Sequence, residues 1–173
     1  MKDRGGVRTV ISGGQTGADQ GGLIAARSLG VATGGTAPRD WLTEDGPQRA
    51  LLLSFGLKEC SDRGYPARTK ANVLKSDGTL IVGPYRTGGS ALTAKIANDH
   101  RKPLFTVPYG GTADTPTDDQ VEEFRFWLGR HRIRVLNVAG NRESQSPGIG
   151  RFTSNFLIAA LGPENASARS GVL

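Results

Sequence analysis

Short apolar runs alternate along this chain with longer stretches whose apolar residues recur at helical spacing. "VRTVIS" (7–12) is rich in β-branched residues and leads into a glycine-bearing loop, after which 17–29 reads as a helix closed by Gly30. A weaker strand begins at Val31 with "VATGG". The stretch 36–46, "TAPRDWLTEDG", holds too much Pro, Gly and Asp for regular structure and reads as an exposed loop. A short helix is predicted over 47–55 and a longer one over about 66–75. "TLIVG" (79–83) is continuous and apolar, the pattern of a strand buried on both faces, and "TGGSALTAKIAND" carries it into a helix. "PLFTV" (103–107) is the next strand, and between 117 and 131 Val121, Phe124 and Leu128 fall on one helical face. "IRVLNVAG" (133–140) makes a fifth strand. The last helix, about 149–161, has Phe152, Phe156 and Ala159 on one side and Leu157, Ile158 and Leu161 on others. Because it is apolar nearly all round, it is expected to be central or packed against another subunit. The tail beyond Pro163 reads as frayed.

Strands alternating with helices through short loops predict an α/β, Rossmann-like, doubly wound fold: a mainly parallel sheet of about five or more strands with helices on both faces. Neither an internal repeat nor a linker divides the chain, so 1–173 reads as one domain with its core over about 7–161. Ligands of such sheets bind beyond the carboxyl ends of the strands, where the winding changes direction. Three polar loops leave those ends, at 13–17, 84–90 and 140–148.

Composition narrows the partner. There are 22 Lys and Arg against 16 Asp and Glu, a net charge of +6 that favours anionic partners. The basic residues are spread out, with no dense block and no interleaved aromatics, which points to a small anionic molecule and away from nucleic acid. Cys60 is the only cysteine, so no intrachain disulfide forms, and a reducing, cytoplasmic setting is expected. No apolar stretch has the length to span a bilayer, and no membrane association is predicted. His100 and His131 lie far apart in sequence, so neither a histidine metal site nor a Ser–His pair is expected.

The chemistry concentrates in the three loops. "SGGQTGAD" (12–19) places Gly13, Gly14, Gln15, Thr16, Gly17 and Asp19 at a strand-to-helix junction. Backbone amides and the helix dipole make such a junction an anion site, and glycine lets a phosphate approach without meeting a β-carbon. The alternative is a plain turn with Asp19 in the first helical turn. Neither G-x-G-x-x-G nor Walker A spacing is present. "YRTGGSALT" (85–93) repeats the arrangement with Arg86, Thr87, Gly88, Gly89, Ser90 and Thr93, so that two glycine loops share one ligand. In "YPARTKAN", Tyr65, Arg68, Thr69 and Asn72 form a polar helix face that either reads the edge of a heterocycle or faces water. In "NVAGNRES", Arg142 and Ser144 are anion contacts, unless Glu143 and Ser144 cap neighbouring backbone. Trp41 either covers a flat ring or wedges into a neighbouring subunit, partly buried in both cases.

Taken in order, "SGGQTGAD", "GGTAPRDWLTEDG", "YPARTKAN", "SDGTLIVG", "TGGSALT", "LNVAGNRES" and "PGI" give the chain a resemblance to the molybdenum cofactor carrier proteins, the family named putative molybdenum carrier. That family lies in the Rossmann-like superfamily of the lysine-decarboxylase-like phosphoribohydrolases. The resemblance spans about 7–161 and implies a cytoplasmic homo-oligomer, dimer or tetramer, that stores or delivers the molybdenum cofactor. It implies an anionic pterin ligand, with molybdate or phosphate as simpler occupants of the same seat. The phosphate or oxo-metal end would lie on the loops of Gly13 to Gly17 and Thr87 to Ser90, with Arg142 and Ser144 nearby. Asn141 stands where the family usually has proline. The related phosphoribohydrolases carry G-G-x-G-T-x-x-E, and here Ala91, Leu92 and Lys95 replace its Gly, Thr and Glu. A lysine cannot do the work of that carboxylate, so a binding protein without catalytic residues is expected. The alternatives are a phosphoribohydrolase-like enzyme acting on a nucleotide and a sensor of a nucleotide-derived ligand.

Overall fold

The computed structural model describes residues 6–62, 64–111 and 115–163. In chain order the elements are β1 (Thr9–Ser12), α1 (Ala18–Ser28), β2 (Ala32–Ala37), a 3-10 turn (Arg39–Trp41), β3 (Leu42–Thr43), β4 (Gly46–Pro47), α2 (Arg49–Ser54) and β5 (Leu57–Glu59). They continue with α3 (Tyr65–Lys75), β6 (Gly78–Val82), α4 (Gly88–Asp99), β7 (Leu104–Val107), α5 (Asp118–Arg130), β8 (Val135–Gly140) and α6 (Ile149–Leu161). Six strands form one sheet in the order β5-β2-β1-β8-β6-β7, and every pairing in it is parallel. Helices α1, α5 and α6 pack together on one face and α3 and α4 on the other, as right-handed crossovers require. This is the expected Rossmann-like arrangement.

The last strand lies in the middle. β8 sits between β1 and β6, with Val10 opposite Leu136 and Leu80 opposite Val138. Numbered from β8 as the first strand, the spatial order reads 4-3-2-1-5-6, so the winding reverses between β8 and β6. A crevice at the carboxyl ends of those two strands is where such a sheet binds its ligand.

The main core lies under α1, α5 and α6, where Phe124, Phe156, Leu136 and Val138 are buried. On α6 the residues Ile149, Phe152, Phe156, Leu157 and Ala160 face inward, while Ala159 is exposed and Ile158 is 40% exposed. The helix therefore packs between α1 and α5 with one edge left open. Its approach to α1 is close because Gly21 meets Gly150: a β-carbon on Gly21 would stand 2.3 Å from the Gly150 carbonyl oxygen.

Two expectations are corrected. The stretch 36–46 is no exposed loop: it forms the 3-10 turn and the β3–β4 ladder, with Thr36, Ala37, Trp41 and Thr43 buried. Trp41 is 8% exposed and joins Leu23, Ala37, Leu52, Phe55 and Leu57 in a second, smaller core. The edge strand β5 was not predicted, since Leu57 is its only apolar residue. The frayed tail expected beyond Pro163 lies outside the described residues.

Candidate functional site

A cavity of about 730 Å³ opens at the carboxyl ends of β1, β8 and β6. Its wall takes Gly13, Gln15 and Asp19 from the first loop, Arg68, Thr69 and Asn72 from α3, and residues 87–90, Leu92 and Thr93 from the second loop and α4. β8 adds 137–140, and the third loop adds Asn141, Arg142 and Gln145. Of the residues singled out in the sequence, Gly13, Gln15, Asp19, Asn72, Thr87, Gly88, Gly89, Ser90, Thr93 and Arg142 are thus brought together. Gly14, Thr16, Gly17, Arg86 and Ser144 are outside the wall, and Arg86 is exposed.

The first loop is not an open amide cradle. Gly14 N donates to Ser12 Oγ (3.1 Å), Gln15 N to Asp19 Oδ2 (3.2 Å), Thr16 N to Gln15 Oε1 (3.1 Å) and Ala18 N to the Asn141 carbonyl (3.2 Å). Those amides are spent on the protein itself. The glycines instead let the loop approach other parts of the chain. Gly14, at φ 78°, lies against Leu52 and Leu57 of the second core, where a β-carbon would come within 2.7 Å of Leu52 Cδ2. Gly17, at φ 79°, lies against the third loop, where a β-carbon would stand 2.4 Å from the Asn141 carbonyl oxygen.

The second loop differs. β-Carbons on Gly88 and Gly89 would meet nothing within 4 Å, and the N-cap Thr87 makes no side-chain capping bond. The first turn of α4 therefore presents its amides and the positive end of its dipole to the cavity. Thr93 Oγ1 donates back to the Gly89 carbonyl (2.9 Å), and Ser90 Oγ donates to Asn141 Oδ1 (3.4 Å). Asn141, standing where proline was expected, also donates through Nδ2 to Ser146 Oγ (3.1 Å). With its carbonyl on Ala18 N, it ties all three loops together.

Two carboxylates shape the electrostatics. Burial pushes the Asp19 carboxyl up to about 6, against the opposing pull of Arg68, the Gln15 and Gly13 amides and Arg142. Arg68 also donates through Nη1 to the Gly13 carbonyl (3.4 Å). Glu44, in the segment between β3 and β4, accepts from the Thr16 hydroxyl, the Ser144 hydroxyl and Ser144 N (3.2 Å). Desolvation raises its carboxyl, but those hydrogen bonds and the charge of Arg142 outweigh it and leave it below the usual range. Thr16 and Ser144 are therefore latched to Glu44. Glu143 caps α6, accepting from Gly148 N (2.6 Å) and Gly150 N (3.1 Å), which is the capping alternative read from the sequence.

On α3, Thr69 and Asn72 are buried in the wall, not turned to water. Asn72 is committed to the backbone of β2: its Oδ1 accepts from Thr36 N (2.8 Å) and its Nδ2 donates to Thr36 O (3.0 Å). Sequence reasoning overlooked Asn137 and Gln145. Asn137 donates to Thr79 Oγ1 (3.2 Å), and a polar residue inside the buried run "VLNVAG" was the available signal. Gln145 carried none.

A crystal structure described as "Putative molybdenum carrier protein", from Syntrophus aciditrophicus SB, resembles the chain with a TM-score of 0.80 and 35% identity, covering 90% of this chain and 95% of that one. No curated protein matches. Residues 10–161 match the family described as "Circularly permutated YpsA SLOG family", in keeping with a sheet whose last strand takes the place of a first one. The chain belongs to the circularly permutated YpsA SLOG family.

Proposed function

We propose that the protein is a cytoplasmic carrier or storage protein that binds the molybdenum cofactor through its anionic end, and that it is not an enzyme. The observation carrying this reading is the open first turn of α4, facing a cavity at the point where the sheet's winding reverses. The relative's description as a "Putative molybdenum carrier protein" supports it. The residues fit such a group. A volume of about 730 Å³ lies within the ordinary range for a small-molecule site, and the amides of Gly88, Gly89 and Ser90 suit a phosphate or an oxo-metal end, with Arg142 in the same wall. The tricyclic pterin would lie between α3 and the third loop. Molybdate or phosphate alone would occupy the same seat. Lys95, where a phosphoribohydrolase has its glutamate, is paired with Asp99 at 2.5 Å on the exposed side of α4, away from the cavity wall. The homo-oligomer belongs to the same proposal, and Phe126 of α5, 70% exposed, and Ile158 of α6 are the apolar surface it would cover.

A second reading is favoured by Asp19. A buried carboxyl with a pKa near 6 inside a cavity is suited to general acid–base work on a nucleotide. Fluorescence titration with molybdopterin separates the two. The carrier reading expects tight binding by the natural protein. It also expects a loss of about 10-fold or more in Gly89→Val, whose side chain enters open space and obstructs the seat without unfolding the chain. Gly14→Val should destabilise the fold instead, because it strains a left-handed backbone and overpacks Leu52 and Leu57. Turnover of nucleoside monophosphates, lost in Asp19→Asn, together with failure to bind molybdopterin, would decide for the enzyme.

A further inference from the structure

Gln15 has a feature that neither the anion seat nor packing accounts for. The residue is 6% exposed, and its Oε1 accepts two backbone hydrogen bonds, from Thr16 N (3.1 Å) and Glu44 N (2.8 Å). Two donors converging on one oxygen fix the amide, because the flipped group would turn its own hydrogens toward both of them. Nε2 is left as a buried donor without a partner in the protein, on a residue of the cavity wall. Native proteins keep few such donors, and one buried within a residue of a cavity wall points to an acceptor that arrives with the ligand.

The surroundings say what kind of acceptor. Gln15 N donates to Asp19 Oδ2, and Arg68 and Arg142 offset part of the charge of Asp19. What this part of the wall lacks is a neutral acceptor. The anion has its own seat elsewhere, at the start of α4, where Gly88 and Gly89 are open. Glu44 enters through its backbone amide, so the strap that latches Thr16 to Ser144 also holds the Gln15 side chain in place.

We propose that Gln15 is the specificity-determining residue of this cavity: its Nε2 donates to the ring carbonyl of a keto-heterocycle whose anionic substituent sits on the first turn of α4. The inference rests on the reading of the cavity as a phosphorylated pterin site, and it deepens that reading. An oxo ring is selected against its amino counterpart, which would set a donor against a donor and leave both unpaired.

The test uses two probes that differ at one position, the phosphate ester of 6-hydroxymethylpterin and the matching 2,4-diaminopteridine ester. The natural protein is expected to bind the oxo ester about 10-fold or more tighter than the diamino ester. Gln15→Glu keeps an oxygen for the Thr16 and Glu44 amides but replaces the donor, and it should abolish or reverse that preference. Equal binding of the two esters by the natural protein overturns the role of Gln15 and leaves the anion seat standing. This comparison needs no variant, so a Gln15→Glu protein that failed to fold would not protect the idea. Retention of the preference in a folded Gln15→Glu protein also overturns it. So does loss of inorganic phosphate binding in that variant, which would show the donor serving the anion. Binding of neither ester by the natural protein sinks the pterin reading itself.

Discussion

Asp19 is a carboxyl held away from water, with a pKa raised to about 6 from an ordinary 3.8. The folded chain therefore holds this proton more tightly than the unfolded chain. The stability it contributes is fully present below about 3.8 and is lost as pH rises through about 6. A shift of that size corresponds to roughly 3 kcal/mol. In Asp19→Asn this loss is absent, so in urea denaturation between pH 4 and 7 the variant should gain on the natural protein by up to about 3 kcal/mol as pH rises. A constant difference across the range would mean that the carboxyl titrates normally. Asp19 also shows what a sequence conceals at this scale. The glycines of "SGGQTGAD" suggested a cradle for an anion, and an anion does occupy the loop: it is the chain's own carboxylate, accepting from Gln15 N. Glycine spacing marks a place where backbone must come close to something. It does not say whether that something is a ligand, as proposed for the open space beside Gly89, or the chain itself, as with Leu52 beside Gly14 and Asn141 beside Gly17.

At the scale of elements, the segment from Pro38 to Gln48 was the least legible, and through Glu44 it holds Gln15, Thr16 and Ser144 beside the cavity. Its Pro, Gly and Asp content hid a 3-10 turn whose Asp40 and Trp41 both take left-handed backbone, at φ 61° and 56°. Such conformations are costly for residues with side chains and persist only where the surroundings impose them. Two anchors do so here: Trp41 in the second core, and Glu44 on Thr16 and Ser144. Neither anchor has a sequence period: Trp41 packs among residues spread from Leu23 to Leu57, and Glu44 bonds partners 28 and 100 residues away. Glu44→Ala should therefore release one end of the strap, and amide exchange at 42–46 and at Ser144 should quicken several-fold while the exchange of β1, β6 and β8 stays unchanged. Uniformly faster exchange would mean that Glu44 supports the whole fold and not this strap alone. The elements read correctly, such as β6 and α5, are those whose burial is continuous or helically periodic: β6 is buried along its whole length, and Val121, Phe124 and Leu128 face inward on α5.

For the whole molecule, alternating periodicity was enough to give a parallel sheet with helices on both faces, but not the order of its strands. The order is set by pairings between residues that the chain keeps far apart, as Val10 is from Leu136 and Thr79 from Asn137. That order has a mechanical consequence. β5, β2 and β1 form one run and β6 and β7 another, and only β8 joins them. A sheet closed by its last strand should fold as one cooperative unit, because neither run buries both of its faces and edges without the other. Two tryptophans report on the two flanks: Trp41 in the small core with Leu57 of β5, and Trp127 against Phe105 of β7. Proteins retaining one tryptophan each, made as Trp41→Phe and Trp127→Phe, should unfold in urea with the same ratio of midpoint to overall stability as seen by circular dichroism. Adding Leu136→Ala in β8, a fully buried residue, should lower both transitions together by about 2–5 kcal/mol. If only one tryptophan responds, the two runs unfold independently and β8 is a lining of the cavity and not the strand that unites the sheet.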